Sequence, residues 1–189
     1  QSVSPGRKEG NKALTILVRR TIMVRTHNLE CGYNHIVTEL LSRKTKGSST
    51  FILNVYSSPS NHRQQFHSLV RQAVILDDSA PFIIAGDFNA PYEEWGYGFT
   101  TLKGKRLWQS IQEQLTVKTD PHAHTRIGKN TQRDTTPGLT ITKNAPGATW
   151  HNTIDDLGSD HRILETHVPF NDSDRITTTC NTRSLVDWD

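Results

Sequence analysis

Two short polar motifs lie beside apolar stretches that are predicted to be strands, and their side chains are suited to hydrolysis. Gly86-Asp87-Phe88-Asn89 follows the apolar residues 81–85, and Gly158-Ser159-Asp160-His161 precedes the apolar residues 163–168. Hydrolysis of a phosphodiester needs a base or metal ion to activate the nucleophile and donors that stabilise the developing negative charge. The two motifs are therefore interpreted as two parts of one site that cleaves phosphodiesters.

Each side chain of the motifs has an expected role. Asp87 is expected to accept the proton of the attacking water. Asn89, two residues further along an extended segment, is expected to point the same way and to donate to the phosphate or position the attacking water. His161 is expected to contact the phosphate as donor or acid-base, and Asp160 to help hold a divalent cation. Tyr56 adds a hydroxyl at the end of another predicted strand.

Taken singly, each of these residues also has a structural explanation. Asp87 and Asn89 are common in turns, and Ser159-Asp160 can start a turn through local hydrogen bonds. A lone His161 is more often structural than catalytic. Tyr56 suits a strand end where its ring is packed and its hydroxyl is in water. Only the residues as a set favour catalysis over these alternatives.

Hydrophobic periodicity predicts a series of strands around the two motifs. The short run 82–85 is apolar on both faces, which predicts a strand in the centre of a sheet. Residues 35–41 and 49–57 flank a basic, glycine-containing segment and are predicted to pair as an antiparallel hairpin. The other strands are expected at residues 13–18, 21–25, 139–142, 148–153 and 163–168.

Two helices are predicted between these strands. The first spans residues 61–76 and crosses from one strand to the next. The second spans residues 102–115, with an inward face formed by Leu107, Trp108, Ile111 and Leu115. Residues 116–137 are expected to be a long polar connection. Strands alternating with helices, together with antiparallel pairs, predict a layered α/β or α+β domain with sheets packed between helices.

The composition is that of one globular domain. Of the 189 residues, 33% are hydrophobic and 22% are charged, which is enough to bury a core. No apolar run could cross a membrane or serve as a signal peptide, so a nuclear or cytoplasmic location, not a secreted one, is expected. Cys31 and Cys180 match no metal-binding spacing and are expected to be isolated thiols. Residues 1–12 are interpreted as a polar segment, 13–170 as the domain and 171–189 as a linker.

The net charge of +3 permits nucleic-acid binding without establishing it. Basic residues cluster at Arg19-Arg20 and within residues 43–46, 103–106 and 126–133. Most such clusters are solvated faces. They are therefore only candidates for contact with a polyanion.

Four stretches of the sequence together closely resemble the endonuclease/exonuclease/phosphatase superfamily. The similarity is greatest to the apurinic-type endonuclease domain of non-LTR retrotransposon polyproteins, and it covers residues 13–168. Their order along the chain makes the set much more specific than any one motif. The stretches are Asn54-Val55-Tyr56-Ser57-Ser58-Pro59, Ile83-Ile84-Ala85-Gly86-Asp87-Phe88-Asn89-Ala90, Thr125-Arg126-Ile127-Gly128 and Leu157-Gly158-Ser159-Asp160-His161.

The resemblance implies a four-layered α/β sandwich of two mixed sheets flanked by helices, with Mg²⁺ or Mn²⁺ at the strand ends. It also implies an enzyme that nicks DNA to prime reverse transcription, with a reverse transcriptase covalently linked in the same polyprotein. By motif match, the catalytic residues are Tyr56, Asp87, Asn89 and His161. By the same match, Asp160 is a metal ligand. The residues expected to contact the substrate are Thr125, Arg126 and Ser159.

Two features depart from the family pattern. The family begins with a strand-helix-strand unit that carries an active-site Asn and the principal metal-binding Glu, and Glu9 follows no apolar strand that could match it. Where the family commonly has an Asp that orients the histidine, this chain has Gly138, and the candidate replacements are Asp134, Asp155 and Asp156. The domain is therefore expected to lack its first unit, to bind Mg²⁺ poorly and to be weakly active or inactive.

Three functions remain open at this point. The first is a metal-dependent DNA endonuclease of a retroelement. The second keeps the superfamily but acts on abasic sites or on another phosphoester. The third is a catalytically dead remnant that binds nucleic acid through residues 103–106 and 126–133, with the salt dependence typical of phosphate contacts. Whether the chain is an enzyme is undecided, and its oligomeric state is unknown.

Overall fold

The computed structural model describes residues 2–3, 14–42, 49–111 and 115–169. The strands are β1 (Ser2–Val3), β2 (Ile16–Leu17), β3 (Met23–His27), β4 (Asn34–Leu41), β5 (Ser49–Tyr56), β6 (Phe82–Asp87), β7 (Thr116–Lys118), β8 (Gly138–Lys143), β9 (Thr149–Asn152) and β10 (Leu164–His167). The helices are α1 (His67–Val74) and α2 (Leu102–Ile111), and a short 3-10 helix spans Glu93–Trp95.

Six strands form the main sheet, in the order β3-β4-β5-β6-β8-β7. β4 and β5 pair as the predicted antiparallel hairpin, in which Val37 lies opposite Leu53. Helix α1 connects β5 to β6, and these two strands are parallel, with Leu53 opposite Ile84. β6 is antiparallel to β8 on its other side. The strand that leads to the first motif therefore lies inside the sheet, as its apolar run predicts.

One face of the main sheet packs against α1 and α2 and forms the core. Alternate residues of β5 and β6 point to this face, and Phe51 stacks on Phe82 with ring centroids 5.5 Å apart. Each large apolar side chain contributes about 1.5–3 kcal/mol when it is fully buried. The core therefore fixes the positions of β5 and β6. Its buried members include Leu53, Val55, Leu69, Val70, Ala73, Ile84, Leu107, Ile111, Leu139 and Ile141.

The opposite face of the main sheet carries two smaller sheets. β9 and β10 form an antiparallel pair, and Leu164 of β10 lines a cavity together with Ile52 and Ile83 of the main sheet. β1 and β2 form the other pair, and next to it Asn54 Nδ2 donates to Thr15 O over 3.3 Å. The described residues thus form a helix layer, a mixed sheet and a layer of small sheets. The mixed α/β class expected from the sequence is confirmed.

Helix α1 is shorter than the predicted 61–76. Carbonyl groups in the residues before α1 accept hydrogen bonds from side chains of α2. Lys103 Nζ donates to Ser58 O, and Arg106 NH1 donates to Arg63 O. The backbone between these contacts forms turns instead of a helix. Apolar spacing predicts which face of a helix is buried, but it does not report such competing partners.

The polar stretch 116–137 contains a strand that the sequence pattern does not predict. β7 is the edge strand beside β8, where Val117 lies opposite Ile141. Val117 also packs against the core. A strand of three residues is too short to show a clear alternation of apolar and polar positions. β1 also falls where no strand is predicted, and the predicted strands elsewhere are present with shifted ends.

No helix among the described residues is long and apolar enough to span a membrane. Cys31 is a free cysteine, as its spacing predicts. Glu9, Cys180, the basic residues 43–46 and the predicted linker 171–189 lie outside the described residues.

Candidate active site

Gly86 allows β6 to bring Asp87 to the end of the main sheet. Its φ of +151° is a conformation that side chains rarely adopt, and a Cβ at this position would lie 2.0 Å from Val55 O. The close approach maintains the register, so Asp87 lies opposite Tyr56 on one side and Gly138 on the other. Tyr56 and Asp87 therefore end neighbouring strands.

Asn89 leaves the extended path of β6. Its φ of +46° is left-handed, which asparagine tolerates better than most residues, and its Nδ2 donates to Ser57 O over 3.1 Å. Ser57 N in turn donates to Asp87 O over 2.8 Å. The prediction that Asn89 continues an extended segment is wrong, because the chain turns to make these bonds. Its amide joins two loops, and its contact with phosphate stays a prediction.

Residues 125–128 hold the second motif in place. Ser159 Oγ accepts a hydrogen bond from His161 N over 3.1 Å, which forms a local turn. Asp160 O accepts from Ile127 N over 2.8 Å. His161 also forms an isolated antiparallel bridge with this segment. The position of the histidine is therefore set by backbone contacts on both sides of it.

Asp87 and His161 line one cavity of about 460 Å³. Thr125, Gly138 and Arg162 line the same cavity, and apolar side chains of β5, β6 and β10 form much of its wall. One motif ends β6 and the other precedes β10, so only the packing of the two sheets brings them together. The structure thus places the predicted base and the predicted phosphate-binding histidine at one opening.

The Asp160 carboxylate is bonded to Arg126. Arg126 Nε donates to Asp160 Oδ2 over 2.8 Å, and this bond holds the pKa of Asp160 below its ordinary value. Asp160 is the predicted metal ligand, and Arg126 is a predicted substrate contact. In this structure both groups are directed at each other.

The described residues do not provide a complete site for a divalent metal ion. Mg²⁺ prefers carboxylate oxygens and water in an octahedral set. Within the described ranges, no three His, Cys, Asp or Glu side chains are grouped closely enough to hold an ion. The predicted ligand Asp160 accepts a bond from an arginine. These residues therefore do not fit the ion that the resemblance implies.

Thr125 binds both backbone groups of Gly138. Its Oγ1 accepts from Gly138 N over 3.0 Å and donates to Gly138 O over 3.3 Å. Thr125 is only 1% exposed, so it packs at the base of the cavity, and its contact with substrate stays a prediction. A Cβ at Gly138 would lie 3.2 Å from Thr125 Oγ1. An aspartate could be accommodated there if Thr125 moved by a few tenths of an ångström.

None of the candidate replacements for an orienting carboxylate bonds to the ring of His161. Asp134 and Asp156 each accept a bond from the backbone N–H of a glycine, over 2.8 Å in both cases. The side chain of Asp155 makes no hydrogen bond within the described residues. In the described part of the chain these three candidate residues therefore do not fix the tautomer of His161 by a hydrogen bond.

Two titratable side chains near Asp87 are absent from the sequence-based site. Lys103 is 2% exposed, and burial lowers its pKa to about 8, while the charge of Asp87 opposes that shift. Burial raises the pKa of Tyr97 to about 12, although a hydrogen bond with Thr135 opposes that shift. Lys103 precedes the buried Leu107 by one helical turn, and this spacing could have identified it as an inward residue. No comparable pattern marks Tyr97.

The two basic stretches predicted to bind nucleic acid are only partly exposed. In the first, Lys103 is buried and Arg106 donates to a backbone carbonyl over 2.8 Å, whereas Lys105 is exposed. In the second, Arg126 forms an ion pair, whereas residues 129–134 are exposed. Residues 103–106 therefore do not form one exposed basic face, because α2 turns Lys103 into the protein.

A model of the family described as Endonuclease-reverse transcriptase matches residues 50–165, which is more than half of the chain. The match includes both motifs and most of the residues of β5, β6 and β8 that line the cavity. No curated protein sequence matches the chain significantly.

Solved structures share the fold at low sequence identity. The endonuclease domain of TRAS1, a telomere-specific non-LTR retrotransposon, has a TM-score of 0.70 and 17% identity, covering 89% of this chain and 77% of that one. A truncated TDP2 from Caenorhabditis elegans has a TM-score of 0.56 and 14% identity, covering 88% and 73%. At such low sequence identity, this structural similarity shows a shared fold and nothing more. Together with the family match, it shows that the chain belongs to the Endonuclease-reverse transcriptase family of the endonuclease/exonuclease/phosphatase superfamily.

Proposed function

We propose that this chain is the DNA-nicking domain of a non-LTR retroelement polyprotein, in which it is linked to a reverse transcriptase. Membership of the family supports a nuclease or phosphodiesterase function in general. The observation that carries the finer proposal is the cavity shared by Asp87 and His161. A base and a hydrogen-bond donor at one opening are the groups that water attack on a phosphodiester requires.

The proposed roles follow from the positions of the side chains. Asp87 takes a proton from the attacking water, and His161 donates a hydrogen bond to a phosphate oxygen. Tyr56 contributes a hydroxyl from the strand end beside Asp87. Arg126 supplies positive charge to the phosphate once the substrate takes the place of Asp160.

The superfamily generally depends on a divalent metal ion, which polarises phosphate oxygens and makes bound water more acidic. Mg²⁺ or Mn²⁺ is the ion we propose on that basis. The described residues do not fit a complete site, and Arg126 already donates to one of the two carboxylate oxygens of Asp160. The proposed proton transfer and phosphate binding are therefore assigned to side chains of the protein alone.

Cleavage by residues 1–189 is expected to be slow. Position 138 is glycine, and in the described part of the chain no hydrogen bond joins Asp134, Asp155 or Asp156 to the ring of His161. Loss of the carboxylate that orients a catalytic histidine costs about 10⁴-fold in a hydrolase triad. An aspartate at position 138 is expected to recover part of this loss, provided that Thr125 Oγ1, which would lie 3.2 Å from its Cβ, shifts slightly.

A plasmid-nicking assay tests the proposal. Supercoiled plasmid is incubated with Mg²⁺ or Mn²⁺ and either residues 1–189 or the longest reading frame that contains them. We expect Gly138→Asp to increase nicking by about 10-fold or more and Asp87→Asn to abolish it. Gly98→Ala is a matched control, because a Cβ at this exposed glycine would meet no atom within 4 Å.

Three outcomes separate the candidate functions. A folded Gly138→Asp protein that nicks no faster than the Asp87→Asn variant would overturn the proposal. Salt-dependent DNA binding without cleavage, unchanged by Asp87→Asn, would support a remnant that only binds nucleic acid. Faster cleavage of DNA that contains an abasic site than of intact DNA would favour a repair-type substrate.

A further inference from the structure

Lys103 is a buried cation at the start of α2. It is 2% exposed, and Leu107 and Ile111 on the same helix face are 0% and 1% exposed. Burying an ammonium group is costly unless it is paired or hydrogen-bonded. A methionine or leucine would serve packing alone better at such a position. The lysine therefore calls for an explanation in terms of its charge and its hydrogen bonds.

The backbone of α2 next to Lys103 lies very close to another segment of the chain. A Cβ at the next residue, Gly104, would lie 2.0 Å from Pro91 O, so the first turn of α2 packs directly against the loop that follows the first motif. Thr101 Oγ1 accepts a hydrogen bond from Gly104 N over 3.1 Å and donates one to Pro91 O over 3.0 Å. The first turn of α2, which carries Lys103, is therefore held in place by these contacts.

The ammonium group of Lys103 binds the loop that follows β5. Its Nζ donates to Ser58 O over 2.9 Å. The preceding carbonyl, Ser57 O, accepts from Asn89 Nδ2 over 3.1 Å, and Ser57 N donates to Asp87 O over 2.8 Å. Two consecutive residues after β5 are therefore tied to the end of β6 and to α2. These bonds surround the residue proposed as the base.

Charge links Lys103 to the same residue. Burial lowers the pKa of Lys103, and the negative charge of Asp87 raises it. The interaction is mutual, so a protonated Lys103 favours the ionised form of Asp87. A base must be ionised to accept a proton. The lysine and the carboxylate thus stabilise each other's charged state.

We propose that Lys103 is a positioning residue for the phosphodiester-cleaving site, where it holds the loop after β5 against α2 and places a positive charge at this loop, which is itself bonded to Asp87 and Asn89 at the end of β6. This inference rests on the proposed function, because it assigns Asp87 to the chemistry. It also excludes the simpler view of Lys103 as a DNA contact, since a side chain that is 2% exposed is not accessible to a duplex.

An NMR titration tests the charge link without depending on cleavage. The Lys103 side-chain signals are followed against pH in residues 1–189 and in the Asp87→Asn variant. We expect the pKa of Lys103 to fall by about half a unit or more in the variant, since an opposing charge has been removed. Lys105, exposed on the same helix, is the internal control and should titrate unchanged. Equal Lys103 titration in both proteins would overturn the proposal.

Nicking kinetics then test the effect on the site, in whichever of these proteins nicks plasmid fastest. We expect Lys103→Met to lower the maximal rate by about 10- to 100-fold with little change in DNA affinity. Lys103→Arg should recover part of the rate, and Arg71→Met, at an exposed position on α1, should leave it unchanged. An equal loss of rate and thermal stability in Lys103→Met and Lys103→Arg would indicate packing alone and overturn the proposal. A shifted Lys103 titration in a folded protein that never nicks DNA would count against the proposed function and not against the charge link.

Discussion

Replacing Gly86 by alanine should disrupt the end of β6 that carries Asp87. The residue has a φ of +151°, and an added Cβ would lie 2.0 Å from Val55 O, whereas ordinary contacts begin at 3.4 Å. The obstacle is a backbone atom in the neighbouring strand, which cannot rotate away as a side chain could. β5 and β6 would therefore have to separate next to Asp87.

The size of the effect follows from two terms. Holding a non-glycine residue in a sparsely populated backbone region costs about 1–3 kcal/mol. Separating the strands also breaks or weakens the bond from Ser57 N to Asp87 O, now 2.8 Å long, and leaving buried polar groups unpaired costs about 1–3 kcal/mol. We expect Gly86→Ala to lower the free energy of unfolding by about 2–6 kcal/mol. This is a large part of the total, since the free energy of unfolding of a typical domain is about 5–15 kcal/mol.

Urea unfolding followed by circular dichroism measures this change. Gly98→Ala is the matched control, because a Cβ there would meet nothing within 4 Å. It should alter the free energy of unfolding by no more than about 0.5 kcal/mol. If Gly86→Ala stayed within about 1 kcal/mol of the parent protein, the close approach of β6 to β5 would not hold. The explanation of how Asp87 is positioned would then fail.

Two further predictions concern charged groups. Arg126→Gln should raise the pKa of Asp160 toward its ordinary value, because it removes the hydrogen bond that lowers it; an NMR titration of the Asp160 carboxyl measures this. Burial raises the pKa of Glu39, whereas hydrogen bonds with Ser49 and His27 lower it. The net result is a pKa below the ordinary 4.5. The folded state then holds fewer protons than the unfolded state, so this stabilisation is present above pH 4.5 and is lost as the pH falls through the lower folded-state pKa. Glu39→Gln should reduce that acid dependence in urea unfolding between about pH 3 and pH 7.

Exposed residues of the same type provide the controls for these changes. Arg133→Gln alters an exposed arginine near Arg126 and should leave the titration of Asp160 unchanged. Glu165→Gln alters an exposed glutamate and should preserve the acid dependence of stability. An unshifted Asp160 in Arg126→Gln would contradict the assigned ion pair. An unchanged acid dependence in Glu39→Gln would contradict the assigned role of that buried carboxylate.

Local pattern was most informative where one strand or one helix face decides the structure. The apolar run 82–85 predicts an interior strand, and β6 lies between β5 and β8. The spacing of Leu107 and Ile111 predicts the inward face of α2, and both are buried. These successes share a physical cause, since burial of alternate or helically spaced residues is written in the order of the residues themselves.

Local pattern failed where a tertiary partner competed with it. The predicted helix 61–76 loses its first part because α2 supplies donors to the preceding carbonyls. The three-residue strand β7 is recruited by β8. Lys103 looks like part of a basic surface cluster in the sequence, yet it is buried. In each case the deciding contact comes from a residue distant in the chain.

The sequence by itself determined the superfamily, the mixed α/β class and the residue types of the candidate site. Only the tertiary structure decided which of these residues share a cavity. It joined Asp87 with His161, directed Asp160 at Arg126 and placed Lys103 behind the loop after β5. The physical reason is that a motif specifies its own backbone and side chains, whereas burial, pairing and charge coupling depend on the strands and helices that pack against it.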